Sequence, residues 1–264
     1  MKVAVVMPCY GSLNWIDGAV RSLWDGRGGL DLELILVNNG DAETREWFKV
    51  NQHIVAIDNE TNLGISAAWN QGVARALSGA AELIVLANSD IVCSKWWGDA
   101  LLEGARRYPH FYFLANGCKH EEFDVPAPPE AVRGRAGWFV ALPRRLAEEV
   151  GSVPENLFLW YGDDYIHESA ADRGWQAAIL PRMRVFHQGS ISVFRLPNYT
   201  DRIEADRVEW RRICDEKGWG PPVLSREAYL RRVSALVSKS MESLADGMVL
   251  TVLDAMAFEM RRLR

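Results

Sequence analysis

Asn88-Ser89-Asp90 stands directly after the apolar run Leu83-Ile84-Val85-Leu86-Ala87. A carboxylate at the C-terminal end of a buried strand lies where open α/β sheets place ligand chemistry, and an acid there can hold a divalent metal. Further polar groups fall at other expected strand ends: Asn38-Asn39-Gly40, Asn62-Leu63-Gly64, Asp163-Asp164, and His187 after Arg184-Val185-Phe186. Together they describe a metal-assisted nucleotide site. Two departing phosphates carry negative charge in the transition state, so such chemistry needs charge neutralisation at the leaving group.

Asp90 and His187 are the candidate metal ligands, leaving positions open for diphosphate oxygens. An oxygen-rich site of this kind suits magnesium or manganese, and the imidazole tilts the choice toward manganese. Each residue also has a plainer role: Asn-Ser-Asp is common turn chemistry, and His187 before Gln188-Gly189-Ser190 can simply end a strand. In Trp160-Tyr161-Gly162-Asp163-Asp164-Tyr165, two carboxylates sit beside aromatics at the start of an expected helix. A base there can deprotonate an acceptor hydroxyl, whereas an acid in the first turn can equally serve the helix dipole.

The elements that must carry these groups alternate β-rich and helix-period segments, the pattern of βαβ units. Strands are expected at 3–7, 32–37, 54–57 and 83–87, with helices at 15–23, 42–50, 66–77 (Ser66 as N-cap) and 96–107. A strand at 111–115 leads into a proline- and charge-rich loop at 121–129. The second half offers a strand at 138–142, helices at 143–150 and 163–173, the latter closed by Gly174, and strands at 177–180 and 184–186. After Pro197, segments 201–217 and 226–264 are helical in period, and Leu244, Met248, Leu253 and Met256 form one stripe, suited to packing on the catalytic unit or on a second subunit.

The chain has 264 residues, 48% apolar and 25% charged, enough for a full core. A net charge of −5 argues against a protein that mainly coats nucleic acid. Cys9, Cys93, Cys118 and Cys214 are widely spaced and form no zinc pattern, which favours a reduced, cytoplasmic setting. The N-terminus reads as a first strand rather than a signal peptide. The most apolar stretch, Met248 to Met260, is interrupted by Asp254 and Glu259, so no transmembrane segment is expected, and at most a peripheral membrane association.

The order Val6-Met7-Pro8-Cys9-Tyr10, Leu36-Val37-Asn38-Asn39-Gly40, Asn62-Leu63-Gly64 with Asn70 and Gly72, Asn88-Ser89-Asp90, then Gly162-Asp163 and His187, resembles family 2 glycosyltransferases of the GT-A fold over residues 2 to 195. The resemblance implies an α/β, Rossmann-like GT-A fold with a mainly parallel central sheet flanked by helices, here with a C-terminal helical extension. It also implies an inverting transferase using a nucleotide-diphosphate sugar and a divalent metal, Mn2+ or Mg2+. Residues 1–115 would bind the nucleotide sugar, 116–196 the acceptor, and 197–264 would form the extension, a possible route to a homo-oligomer. Pro8 and Tyr10 would line the nucleotide pocket, Asn38 would contact the base, and Asn62, Gly64 and Asn70 would frame nucleotide and ribose. Asn88 and Ser89 fall beside them, Asp90 matches the last acid of the DxD motif, and His187 matches the later metal-ligating histidine. The family's catalytic acid precedes a helix-ending glycine by eleven residues, and 174 − 163 = 11 selects Asp163 over Asp164. Gly137, Trp138 and Trp160 fall on the acceptor side, although core packing is the commoner role of tryptophan.

Some positions depart from the family pattern. Asn38 replaces the usual base-reading acid with an amide that both donates and accepts. Asn88 replaces the first acid of DxD, and Gly162 and Tyr165 stand where further acids are frequent. A glycan or lipid-linked saccharide is the expected acceptor. A hydroxymethylated DNA base is the alternative, with Arg133, Arg135, Arg144 and Arg145 as a phosphate-contacting face. Arg182, Arg184 and Arg195 flank His187, where they are either phosphate contacts or solvated surface groups. A degenerate nucleotide-sugar binder is a further alternative, disfavoured because Asp90, Asp163 and His187 are all retained. A sugar-phosphate nucleotidyltransferase would need a basic glycine-rich loop after the first strand, and a dinucleotide oxidoreductase GxGxxG; neither is present.

Overall fold

The computed structural model describes residues 1–124, 137–189 and 196–219. The expected helix 226–264 with its apolar stripe, and Arg133, Arg135 and Arg195, lie outside the described residues. The chain runs β1 (Lys2–Cys9), α1 (Leu13–Asp25), β2 (Asp31–Asn39), α2 (Ala42–Val50), β3 (Val55–Asn59), α3 (Ile65–Leu77), β4 (Leu83–Ala87), β5 (Ile91–Cys93), α4 (Trp97–Arg107) and β6 (Phe111–Gly117). A short 3-10 turn, His120–Glu122, precedes β7 (Phe139–Pro143), α5 (Arg144–Val150), α6 (Gly162–Asp172), β8 (Gln176–His187) and α7 (Tyr199–Lys217).

One eight-stranded sheet has the order β3-β2-β1-β4-β7-β6-β8-β5. Strands β3, β2, β1 and β4 are parallel. Beyond β4 the sheet is mixed, since β7 is antiparallel to both β4 and β6, β8 is parallel to β6, and β5 is antiparallel to β8. The apolar run of β1 is continuous because both its faces are covered. Val3, Val5 and Met7 pack with Ile16 and Leu23 of α1 and Leu101 of α4, while Ala4 and Val6 pack with Trp69 of α3, Leu146 of α5 and Ile166 of α6.

Several element boundaries differ from expectation for identifiable reasons. Ser66 is not the N-cap of α3. Gly64, at φ 89, occupies that place, and the Ser66 hydroxyl donates to Leu157 O at 2.6 Å inside the core. The two expected strands after 177 are one strand, β8, with a register shift: Leu180 lies opposite Ala115 but Arg184 opposite Asn116. Pro181 has no N–H to give the ladder, and Asn116 Nδ2 donates to its carbonyl at 3.2 Å across the irregularity. Strand β5 is too short to show a period and exists only through its pairing with β8.

Gly72 lets α3 lie directly on β1, because a β-carbon there would overlap Val6 Cγ1. Alanine would gain up to about 1 kcal/mol of helix propensity, but Val6 is fully buried and has no room to yield. Overpacking of this kind costs about 1–3 kcal/mol and outweighs the gain. Gly72→Ala is therefore expected to lower the midpoint of urea unfolding without changing its slope.

Candidate functional site

Two strand ends meet at the centre of the site. Asn88, Ser89 and Asp90 connect β4 to β5, and β5 pairs antiparallel with the end of β8 so that Ile91 lies opposite His187. The turn is fixed on both sides: Asn88 N donates to Trp138 O at 3.0 Å, and Gln188 N donates to Asp90 O at 3.0 Å. Asp90 and Ser89 are buried. His187 Nε2 lies 3.1 Å from Asp90 Oδ1 and 3.1 Å from Asn88 Nδ2. The Trp138 ring stacks on the imidazole at 5.5 Å and 18°.

A carboxylate and an imidazole suit a divalent cation, so Asp90 and His187 are the residues that would hold one. Among the described residues no group of three or more His, Cys, Asp or Glu side chains converges on one point. Asp90 and His187 are thus a sparse pair that leaves coordination positions for ligand oxygens.

Asp163 faces the same region. It lies in the first turn of α6, after Tyr161 in the left-handed conformation (φ 68), and its carboxylate fills the space that a β-carbon on Gly137 would occupy. Gly137 precedes Trp138, so Asp163 is adjacent to the residue stacked on His187. Burial first, then the charges of Glu168, Asp215 and Asp164, push the Cys214 thiol of α7 up to about 11, so Asp164 lies within electrostatic reach of α7.

On the nucleotide side, Pro8 lies one residue before the end of β1, opposite Val37, and Pro8 and Tyr10 are half-buried. Asn62 Oδ1 accepts from Gly64 N at 2.9 Å and from Asn39 Nδ2 at 3.0 Å, while Asn39 Oδ1 accepts from Leu63 N at 3.0 Å. Asn59 and Gln71 exchange amide bonds beside Asn39. These amides, of which Asn39 and Asn59 are buried, fix the 62–64 loop at the strand ends. Asn70 is used differently from expectation. Its amide exchanges two bonds with the Val153 backbone, at 2.8 and 2.9 Å, and so ties α3 to the segment before α6.

Asn38 is fully buried, and its amide is engaged within the protein. Nδ2 donates to Asp58 Oδ1 at 2.7 Å and Asp41 O at 3.0 Å, while Oδ1 accepts from Asp41 N at 3.0 Å. Sequence reasoning missed Asp58, at the end of neighbouring β3. Its carboxyl is held below the usual range mainly by Arg45, at 2.7 Å, and its side chain is 44% exposed. Only the pairing of β2 with β3, which sets Asn38 opposite Asp58, reveals it.

The basic residues are occupied elsewhere. Arg144 donates to the carbonyls of Leu77, Gly79 and Ala81 and to Glu148, capping the α3 terminus, and Arg145 pairs with Glu149. Arg144 is thus committed to structure, whereas Arg145 remains 76% exposed beside Glu149. Arg184 is buried and donates to Glu122 O, while Arg182 pairs with Glu103 on the surface.

A mixed sheet covered by helices on both faces, with an acid and an imidazole meeting at its strand ends beside a nucleotide-side loop, defines a GT-A glycosyltransferase. The chain belongs to glycosyl transferase family 2, whose profile matches residues 4–146. Among solved structures it is similar to GalNAc-T7 with UDP, GalNAc and Mn2+, at TM-score 0.56 and 15% identity, covering 70% of this chain and 43% of that one. It is also similar to S. aureus TarS 1-349 in complex with UDP, at TM-score 0.56 and 12% identity, covering 92% and 70%. The chain thus spans less than half the length of the GalNAc-T7 chain. A comparison with curated proteins gives no match.

Gly137→Ala must push the Asp163 carboxylate aside. Displacements near 1 Å at a reacting group cost about a hundred-fold in rate, so nucleotide-sugar turnover is expected to fall by roughly that factor, with circular dichroism unchanged. Unaltered turnover would show that the carboxylate is not needed where it now sits.

Proposed function

We propose that this protein is an inverting transferase that moves a sugar from a nucleoside-diphosphate donor to a hydroxyl acceptor. The observation that carries this reading is the Asp163 carboxylate against Gly137, beside the cluster of Trp138, His187 and Asp90. The acceptor oxygen bonds to the anomeric carbon from one face as the bond to the diphosphate breaks on the other. The acceptor proton passes to Asp163 as general base, for which a carboxylate within hydrogen-bond reach is sufficient. Asp90 and His187 would hold a divalent cation, Mn2+ or Mg2+, which when bound would neutralise charge on the diphosphate. Trp138 and Trp160 offer flat faces to a sugar ring.

The 62–64 loop, Pro8 and Tyr10 hold the nucleotide. Asp58 meets the base, because its carboxylate is exposed while the Asn38 amide is fully used. UDP complexes among the structural neighbours make UDP sugars the first donors to try. A saccharide, free or lipid-linked, is the acceptor this reading favours. The commitment of Arg144 to the carbonyls at and just after the end of α3 weakens the case for a DNA acceptor. No helix among the described residues is long and apolar enough to cross a membrane, and we assign the protein to the cytoplasm, with peripheral membrane contact compatible.

Thermal stabilisation by UDP, GDP and dTDP, each with manganese and with EDTA, tests the donor class. A nucleotide at a hundred times its Kd stabilises the fold by about 2.7 kcal/mol. Asp90→Ala is expected to abolish the manganese-dependent part of the shift, and an unchanged shift would remove Asp90 from the metal site. Asp163→Asn is expected to keep the nucleotide shift and to lose transfer by about 10²- to 10⁴-fold, the usual worth of a general base. Parallel loss of binding and transfer would exclude that role.

A further inference from the structure

Helix α7 lies beyond the segment matched by the family and carries a buried carboxylate that the mechanism above does not use. Asp206 is 1% exposed. Its oxygens accept from three consecutive backbone N–H groups, Phe158 at 2.8 Å, Leu159 at 2.7 Å and Trp160 at 2.8 Å. Successive N–H groups converging on one anion form a nest, and hydrogen bonds to a charged acceptor are the strong class. Burial holds the Asp206 carboxyl above its ordinary range although the three N–H groups and Arg202 act in the other direction. An acid is thus kept in an unfavourable place to hold this one turn.

The turn it holds leads into the catalytic helix. Trp160 is followed by left-handed Tyr161, whose ring stacks on Trp210 of α7 at 5.9 Å and 7°, and then by Gly162 and Asp163. On the opposite side Ile65 N donates to Phe158 O at 2.7 Å and Ser66 donates to Leu157 O, so the start of α3 grips the same turn. The Arg202 guanidinium lies 4.1 Å over the Phe158 ring and closes the α7 side. The segment before Asp163 is thereby fixed between the start of α3 and α7, with Asp206 accepting from the N–H groups of three residues in a row.

We infer that Asp206 is a positioning residue for sugar transfer, fixing the 158–160 turn so that Asp163 and Trp160 meet the acceptor. The inference rests on the reading of Asp163 as general base. It gives the C-terminal helix a role in turnover rather than in donor binding.

A double-mutant cycle with Asp206→Asn and Asp163→Asn tests this, using nucleotide release from whichever of UDP-, GDP- or dTDP-glucose turns over fastest with manganese. The asparagine amide presents an N–H to Phe158 N–H, so the turn shifts. Asp206→Asn is expected to lower kcat by about a hundred-fold, with donor KM changed less than about two-fold and little further loss when added to Asp163→Asn. Multiplicative losses, a parallel loss of donor affinity, or a lowered Tm with full kcat would each reduce Asp206 to a structural role. Wild-type turnover in Asp163→Asn alone would instead overturn the base assignment, and with it this inference. If Asp206→Asn does not fold, Asp206→Glu keeps the charge while moving the oxygens by one methylene, and the same separation of kcat from KM is expected; full kcat would overturn the proposal. Hydrogen exchange needs no substrate. In Asp206→Asn or Asp206→Glu, exchange is expected to quicken at 158–160 and through the first turn of α6 while β4 stays protected, and unchanged exchange at 162–165 would also overturn it.

Discussion

The register of β8 is the constraint on which the rest of the site depends. Its first part follows β6 in parallel, the chain then slips past Pro181, and pairing resumes with Arg184 opposite Asn116. The slip sets Ile91 opposite His187 at the far edge. A shift of one residue would turn the imidazole to the other face of the sheet, because side chains alternate along a strand. With the register as it stands, Asp90, Asn88 and His187 share one point, and Trp138, just before β7, stacks on the imidazole.

A second constraint acts on Asp163. Asp163 lies beyond a non-regular segment, and such segments hold geometry only when their backbone polar groups are satisfied. Here the start of α3 binds the carbonyl side of 157–158 and Asp206 binds the N–H side of 158–160. The start of α3 and α7 therefore both fix the segment that leads into Asp163. Asn70 adds to this coupling through Val153.

The departures from the family pattern become intelligible in this setting. Asn38 has become a structural amide joining β2, α2 and β3, and an acid is still available nearby in Asp58, one strand over. Asn88 keeps a polar side chain beside Asp90 and His187 but carries no charge there. Both substitutions preserve the shape of the strand ends while changing what they can recognise.

Much was legible in the sequence because it depends on local chemistry. The apolar runs of β1, β2 and β4 mark strands buried on both faces, the helix periods of α2, α3 and α4 are long enough to read, and Asp90, Asp163 and His187 stand out at their ends. What each polar side chain does was decided only by tertiary structure. Asn38, Asn70, Ser66 and Arg144 find partners 20 to 91 residues away that no local pattern announces. Strand β5, the slip in β8 and the role of Asp206 have the same origin. A hydrogen-bonding group's function is set by the partner that satisfies it, and where that partner is distant in the chain only the fold brings it within reach.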